Sequence, residues 1–466
     1  MTRAYVGLAA LDVLYLLAGL GLLVGFGHVR SVRAGLRLAG LAFTLGWAAA
    51  GVASVVLLVA GLSLAPWQVA FACVALAAVG AAVGRVTPAL AEPPPIRVGR
   101  AWPFVLLASA AVLLYVEELG RRAFAAGATY HQDAWGFWLP KAKAIALFGG
   151  LDTGPGGVTS YFHPDYPPLV PALDAVAFRF MDGLHASLLP VQEWVAAAAF
   201  LAALAGLLAR RVPPGVLWPS LALVALSPAF SRWIGVALAD LPLALLFALA
   251  GVAVALWLAD GQPGHVALAA TLLAAAALTK IEGRSLGLTL AAITTLASIR
   301  ALRARWPGLL VLFAVPILAT LPWRRWLAAN DVHVGADYRF RDALDPGFLL
   351  DRIDRFERTI ADLPGYLVGG DDWLVVLPLA LVAAVLVARR APALALLLAG
   401  TPLAVVAGLV VVYWVSPVPV EHYIDTSAER TVLSPLLFAG SLLPIALAAL
   451  LAPSPALARE SSKDVH

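Results

Sequence analysis

The sequence predicts an all-helical protein that crosses a membrane many times. Of its 466 residues, 62% are hydrophobic and only 13% are charged, whereas charged residues make up about 25% of an ordinary soluble protein. Apolar runs cover residues 6–24, 39–62, 241–259 and 432–451, and about 20 such residues cross ~30 Å of hydrocarbon as a helix. Buried strands of soluble proteins have apolar runs of only about 4–8 residues, so the membrane class is favoured.

The remaining composition excludes other classes. A net charge of +4 is small for this length and argues against a nucleic-acid partner. Cys73 is the only cysteine, so no intramolecular disulfide is possible. The first apolar run has no cleavage motif of small residues, and we expect a retained span rather than a signal peptide.

We predict thirteen transmembrane helices and derive their orientation from Lys and Arg, which are enriched in short cytoplasmic loops. The spans are placed at residues 4–27, 38–62, 65–84, 102–119, 187–209, 216–232, 237–258, 265–280, 286–300, 308–327, 373–388, 392–414 and 432–452. With the N-terminus outside, the cytoplasmic loops hold Arg30, Arg33, Arg37, Arg85, Arg97, Arg100, Arg210, Arg211, Arg300, Arg303, Arg305, Arg389 and Arg390. The long loops 120–186, 329–372 and 416–431 then face outward, and loops of this length usually carry function.

Residues 167–180 are apolar but are predicted not to cross the membrane. Counting them as a span would move Arg210, Arg211 and the later arginine-rich loops to the outside. Their apolar members recur at helical spacing on one face, at Leu169, Leu173, Val176, Ala177 and Phe180. We therefore expect a juxtamembrane amphipathic helix lying in the outer interface.

The first long outer loop carries an acid among aromatic residues. Asp133 stands close to Trp135, Phe137 and Trp138, shortly after a predicted span. A carboxylate held against aromatic side chains at a membrane surface is a candidate general base. A helix N-cap beside an ordinary interfacial aromatic belt is the alternative interpretation.

Three more charges lie near the outer ends of predicted spans. Asp240 is at the start of an apolar span, and ionisable residues at such depth usually have a partner or a task. Lys280 and Glu282 interrupt a long apolar stretch. Capping of the span ahead of Pro242 is the alternative for Asp240, and a plain polar turn is the alternative for the other two.

Arg430 begins the final span, where a guanidinium can bind a lipid phosphate with two hydrogen bonds. Snorkelling to ordinary headgroups is the alternative. His163 precedes adjacent prolines, and no paired His or Cys spacing supports a metal site around it. Asp133, Asp240 and Glu282 could gather around a divalent cation, because carboxylates suit Mg, Mn or Ca.

In their order along the chain, these residues resemble the motifs of the C-type glycosyltransferase superfamily, GT-C. The most similar branches are bacterial enzymes related to protein mannosyltransferases (glycosyltransferase family 39-like) and to the aminoarabinose transferase of lipid A. Besides Asp133, the matching segments are His163-Pro-Asp-Tyr-Pro-Pro-Leu169, Ala239-Asp-Leu-Pro-Leu243, Leu278-Thr-Lys-Ile-Glu-Gly283 and Thr426-Ser-Ala-Glu-Arg430. Two departures are a single acid preceded by Gln132, where many members carry an acid pair, and three additional spans before the core.

The resemblance covers about residues 102–452 and implies a division of the chain. Residues 1–101 would hold the three additional helices. The catalytic core would be 102–328, including outer loop 120–186, and a further outer loop would follow at 329–372. The C-terminal helices would occupy 373–452, before a polar cytoplasmic tail at 453–466.

The resemblance also implies a function: transfer of a sugar from a polyprenyl-phosphate donor to a glycan, lipid or protein acceptor at the extracytoplasmic face of a bacterial cell membrane. Asp133 would take the acceptor proton, with inversion at the anomeric carbon, and Arg430 and Lys280 would offset the charge of the leaving lipid phosphate. The expected substrate-binding residues are Asp240, Lys280, Glu282, Arg430, His163, Trp135 and Trp138. No cofactor is required, although a divalent cation is possible.

Two other classes of protein remain as alternatives. A secondary transporter would show inverted repeats and charges near the bilayer midplane, whereas here no internal repeat is found and the charges lie at the outer ends of spans. A non-catalytic membrane protein of the cell envelope would tolerate the loss of Asp133, and a transferase would not.

Overall fold

The computed structural model describes residues 1–127, 131–332 and 342–452. Within these ranges the chain is helical, with short 3-10 and π segments and no β-strand. The α-helices are α1 Thr2–Gly25, α2 Val32–Arg37, α3 Ala39–Val59, α4 Pro66–Gly84, α5 Trp102–Ala125, α6 Leu139–Phe148, α7 Leu169–Phe180, α8 Leu189–Leu208, α9 Pro214–Ala225, α10 Pro228–Arg232, α11 Asp240–Asp260, α12 Pro263–Thr279, α13 Ile281–Ala297, α14 Leu302–Ala329, α15 Pro346–Leu350, α16 Ile353–Val368, α17 Gly370–Trp373, α18 Val376–Val387, α19 Pro392–Ala395, α20 Thr401–Val415, α21 Val420–Thr431 and α22 Leu433–Leu451. The predicted tail 453–466 and part of outer loop 329–372 lie outside the described residues.

Several helices have the length and apolar composition needed to cross a membrane, as the sequence predicted. In the described ranges nine segments qualify: Thr2–Gly25, Ala39–Val59, Pro66–Gly84, Gly99–Ala125, Ala186–Leu208, Asp240–Asp260, Ile299–Ala329, Pro392–Val415 and Val420–Leu451. A tenth would consist of Ile353–Trp373 with Val376–Val387, which meet at a bend of 102°. The protein is therefore a polytopic helical membrane protein.

Four of the thirteen predicted spans fall on shorter or bent helices. The span at 216–232 corresponds to α9 and α10, which are separated by a break ahead of Pro228. The spans at 265–280 and 286–300 correspond to α12 and α13, each of 17 residues, and a helix of this length rises only about 25 Å. The span at 373–388 lies in the bent pair. The count of thirteen stays a prediction.

Helix α11 is the centre of the bundle. Its most apolar stretch is completely buried, and it packs against α8, α12 and α22. It begins at Asp240 and ends at Asp260, whose carboxylate accepts a hydrogen bond of 2.7 Å from Arg211. At this arginine-rich end, Glu92 contacts both Arg37 and Arg210, so predicted cytoplasmic loops lie together. Asp240 is at the opposite end.

The three additional N-terminal helices α1, α3 and α4 pack closely against one another and join the core through α3 and α8. Small residues permit this approach. A Cβ atom at Gly46 would lie 1.7 Å from the carbonyl oxygen of Tyr15, and one at Gly80 would lie 2.2 Å from that of Gly21. Glycine therefore allows backbone contact between these helices, as is common in membrane proteins.

Helix α7 matches the predicted helix at 167–180, with one correction. Its 12 residues rise about 18 Å, too little to cross the bilayer. Nine of the twelve are buried, because α1, α3 and α6 pack around the helix. An interfacial helix would expose a polar face, whereas α7 is covered by protein on nearly all sides.

Candidate functional site

Four segments that are distant in sequence meet at the end of α11 where Asp240 lies. They enclose a cavity of about 210 Å³. The first two segments are the turn that leads into α6 and the loop before α7. The junction of α12 with α13 and helix α21 complete the enclosure. The cavity is lined by Asp133, Phe137, Trp138, His163, Tyr166, Asp240, Lys280, Glu282, Ser416, Val418, Tyr423, Ser427, Arg430 and Thr431.

Five charged side chains in this cavity form an alternating row. Arg430 donates a hydrogen bond to the Asp133 carboxylate through Nη1, and the same nitrogen lies 3.9 Å from Asp240 Oδ2. Lys280 Nζ donates to Asp240 Oδ1 at 3.0 Å and lies 3.2 Å from Glu282 Oε1. The row thus contains three carboxylates and two cations, and each cation contacts two carboxylates.

The depth of these charges explains why they are paired. The side chains of Asp240 and Lys280 are only 6% and 11% exposed, whereas those of Asp133 and Glu282 are 32% and 31% exposed. A buried charge without a partner costs several kcal/mol. The sequence therefore predicted a partner for Asp240, and in the structure this partner is Lys280. The two carboxylates at the ends of the row remain accessible from the cavity.

Some polar atoms in this row have no hydrogen-bond partner among the described residues. They are Arg430 Nε, Asp240 Oδ2 and Glu282 Oε2, and all three are shielded from solvent. Buried polar groups are nearly always satisfied in folded proteins, and exceptions concentrate at functional sites. An unsatisfied guanidinium N–H beside a cavity suits an anionic oxygen of a ligand.

One wall of the cavity is aromatic. Phe137 packs against Trp138 and His163, with ring centroids 4.7 and 5.3 Å apart. His163 stacks on Tyr166 at 4.6 Å, and Tyr166 lies 5.9 Å from Trp138. The four rings and the charged row line the same cavity.

The local backbone that positions the aromatic wall is unusual. Residues Ala134–Trp138 form a π-helical turn just before α6, and such turns are often found at functional sites. His163 has a left-handed backbone with φ of 51°. Its carbonyl oxygen accepts a hydrogen bond from the buried Lys141. Burial lowers the pKa of Lys141 to about 7, although nearby Asp165 opposes the shift.

Seven of the eight predicted site residues line the same cavity: Asp133, Trp138, His163, Asp240, Lys280, Glu282 and Arg430. Trp135 does not. Its side chain is among the exposed ones at 45%, and Lys143 Nζ lies 4.7 Å from its ring centroid. Trp138 is only 1% exposed. The π-helical turn places these two tryptophans on different faces.

The possible metal site was predicted from three carboxylates, and their arrangement does not favour it. No group of three or more His, Cys, Asp or Glu able to hold a metal ion occurs within the described ranges. Asp133, Asp240 and Glu282 instead contact Arg430 or Lys280. A role for a divalent cation stays a prediction.

Sequence reasoning missed the polar face of α21. Tyr423, Ser427 and Thr431 recur every four residues and line the cavity beside Arg430. Tyr413 Oη lies 3.0 Å from Ser427 Oγ and 3.1 Å from Thr431 Oγ1. The spacing of these hydroxyl groups, one helical turn apart, could have been recognised in the sequence.

His131 is a second residue that sequence reasoning missed. Its imidazole accepts a hydrogen bond from the Asp133 backbone.

A second cavity continues from the first. It measures about 160 Å³, lies between α13 and α20, and shares Glu282, Tyr423 and Thr431 with the polar cavity. Its other lining residues are mainly apolar or small: Ile281, Ser285, Leu286, Thr289, Ala404, Val405, Gly408, Leu409, Val412 and Tyr413. Together the two cavities provide a polar chamber and an apolar groove with a common boundary. We call this second cavity the apolar groove.

In comparisons with known proteins, no family model, no curated protein and no solved structure matches this chain.

Proposed function

We propose that this protein is a glycosyltransferase that moves a sugar from a polyprenyl-phosphate donor to an acceptor hydroxyl at the extracytoplasmic face of the membrane. The observation that carries the proposal is the contact between the charged cavity and the apolar groove at Glu282, Tyr423 and Thr431. A donor of this class has a phosphate, a sugar and a long hydrocarbon tail, and the three parts match the charged row, the aromatic wall and the groove.

The charged row is suited to a lipid phosphate. Arg430 can form two parallel hydrogen bonds to a phosphate, and Lys280 supplies a second positive charge. Arg430 already contacts Asp133 and Asp240, so phosphate binding competes with these carboxylates for the guanidinium. The exchange would free the Asp133 carboxylate for proton transfer.

The proposed reaction balances without a cofactor. The acceptor oxygen attacks the anomeric carbon, and its proton passes to Asp133. The bond between that carbon and the phosphate oxygen breaks, and the electron pair leaves with the polyprenyl phosphate. Arg430 and Lys280 stabilise the charge that develops on this leaving group. A single displacement inverts the anomeric configuration. The acceptor would be a glycan, a lipid or a protein.

The test uses purified full-length protein and radiolabelled polyprenyl-phosphate sugars. We expect Asp133→Asn to lower sugar release by at least about a hundredfold while donor binding persists, because it removes the base and keeps Arg430 and Lys280 for the phosphate. The matched control is Asp152→Asn in the same outer loop, where Asp152 is exposed and its carboxylate accepts a hydrogen bond from the Gly154 backbone. Equal turnover in wild type and Asp133→Asn would move the base to Asp240 or Glu282. If no polyprenyl-phosphate sugar binds at all, the transferase proposal fails and a transporter becomes preferable.

A further inference from the structure

A third cavity lies close to the polar cavity, at the contact of α12, α13 and α14. It measures about 170 Å³, and its polar lining consists of Asp165, Arg284, Thr320 and Arg324. Trp323 forms part of the wall. No residue of the transfer mechanism described above lines it.

Two arginines face this third cavity, and among the described residues neither has a partner. Arg284 is half-buried in the first turn of α13, and Arg324 is exposed near the end of α14. Neither makes a hydrogen bond or ion pair with any residue of the part of the chain that the structure describes. Their guanidinium groups are close enough to repel each other. By contrast, Arg430 and Lys280 each contact two carboxylates.

The one acid in this third cavity does not cancel the two positive charges. Asp165 is buried, and its charge acts on the buried Lys141 behind the loop. With one carboxylate against two guanidinium groups, the lining is net positive. Two like charges beside one cavity repel each other, and an anion bound between them would offset that repulsion.

One wall of the third cavity is formed by Trp323, which a ring stack and a hydrogen bond hold in place. Trp323 and Trp326 stack with ring centroids 4.9 Å apart and planes at 9°. The Nε1 of Trp323 donates a hydrogen bond of 3.0 Å to the carbonyl oxygen of Asp165. The same wall separates this cavity from the polar one. His163 and Tyr166 face the polar cavity, whereas Asp165 and Pro167, in the same loop, face the third cavity.

We propose that Arg284 and Arg324 form a binding site for a phosphate group, separate from the site at Arg430. Arginine matches phosphate with paired N–H donors, and two guanidinium groups at one cavity bind a doubly charged group well. The phosphate would belong to a membrane lipid or to a water-soluble phosphate compound. The site goes beyond the proposed transferase activity, since its binding needs neither Asp133 nor turnover.

The experiment measures lipid binding to the full-length protein in phosphatidylcholine nanodiscs that contain dioleoyl phosphatidic acid, by native mass spectrometry. We expect Arg284→Gln and Arg324→Gln each to lower the bound phosphatidic acid about tenfold, the effect of losing one or two charge-assisted hydrogen bonds. Arg325→Gln is the matched control, because Arg325 is the exposed neighbour of Arg324 and does not line the cavity. It should bind as wild type does.

Inorganic phosphate distinguishes the two sources. If millimolar phosphate displaces the lipid from wild type, the site takes water-soluble phosphates; if it does not, the site takes the lipid headgroup. Equal binding by wild type, Arg284→Gln and Arg324→Gln would overturn the proposal, as would an equal loss in Arg325→Gln. Thermal unfolding checks that Arg284→Gln folds. If it does not, Arg324→Gln alone decides the test, because Arg324 is exposed and its substitution should not disturb folding. The difference between wild type and each variant reports on this site and not on the one at Arg430, because Arg284, Arg324 and Arg325 do not line the polar cavity.

Discussion

Arg430 forms an ion pair with Asp133 across 297 residues of sequence. The pair joins helix α21 to the turn that precedes α6, and it brings together the predicted base and the predicted phosphate ligand. The guanidinium also donates to the carbonyl oxygen of Thr426, one turn earlier in its own helix, at 2.9 Å. Arg430 is thereby held both by the turn before α6 and by its own helix.

We expect Arg430→Gln to lower stability by roughly 2 kcal/mol, because it leaves Asp133 and Asp240 short of one cation in a largely buried place. Asp133→Asn should cost less, since Asp133 is more exposed. The double variant Asp133→Asn with Arg430→Gln should lose clearly less stability than the sum of the losses in the two single variants. Thermal unfolding in detergent would measure these losses. Strictly additive losses would show that the pair contributes no coupling energy.

The deeper pair of Asp240 and Lys280 should be more sensitive. Lys280→Met leaves the Asp240 carboxylate buried with one close cation fewer, and we expect a loss of about 3 kcal/mol or poor folding. Lys280→Met combined with Asp240→Asn should recover part of that stability, because no deeply buried carboxylate is then left short of a cation; Glu282, which also loses Lys280, is 31% exposed. A double variant less stable than either single variant would contradict this account.

The apolar groove can be blocked at Gly408, where a side chain would enter open space. Under the proposed function, Gly408→Phe should lower kcat/KM for a long-chain polyprenyl donor about tenfold, because the ring replaces buried hydrocarbon tail. A donor analogue with a short tail should react normally. Ala407→Phe is the control on the exposed face of the same helix. An equal effect on both donors would place the tail elsewhere.

The buried Lys141 predicts a rise of stability with pH. Burial lowers the pKa of its ammonium from 10.5 to about 7. The unfolded chain therefore binds more protons than the folded one between these pH values, and stability increases across that window. We expect the melting temperature to rise by roughly 5 °C between pH 7 and 9. Lys141→Met should remove most of the rise, whereas Lys143→Met, on the half-buried neighbour, should keep it.

Asp174 in α7 predicts the opposite trend at lower pH. Burial raises the pKa of its carboxyl from 3.8 to about 7, and one of its oxygens has no hydrogen-bond partner among the described residues. The folded chain binds the extra proton here, so stability falls as pH rises from 4 to 7. Asp174→Asn should be more stable than wild type at pH 8, by roughly 2 kcal/mol, and no more stable at pH 4. The exposed Asp182→Asn should show no such dependence in thermal unfolding scans.

The sequence by itself determined the class of the protein and most of its candidate site. Transmembrane helices can be recognised locally because each must satisfy its backbone hydrogen bonds and present apolar side chains along its own length. Charges at span ends are conspicuous for the same reason, and this is why Asp133, Asp240, Lys280 and Arg430 could be singled out.

The tertiary structure alone decided which of these charges touch, which aromatic residues face the cavity, and that α7 is enclosed by protein. Trp135 is exposed and Trp138 is buried because a π-helical turn places them on different faces. The residue types in this segment do not reveal that turn. The pairing of Asp133 with Arg430, and the convergence of Arg284 and Arg324, depend on how whole helices pack. Packing sums many weak contacts between distant segments, and no local pattern in the chain records that sum.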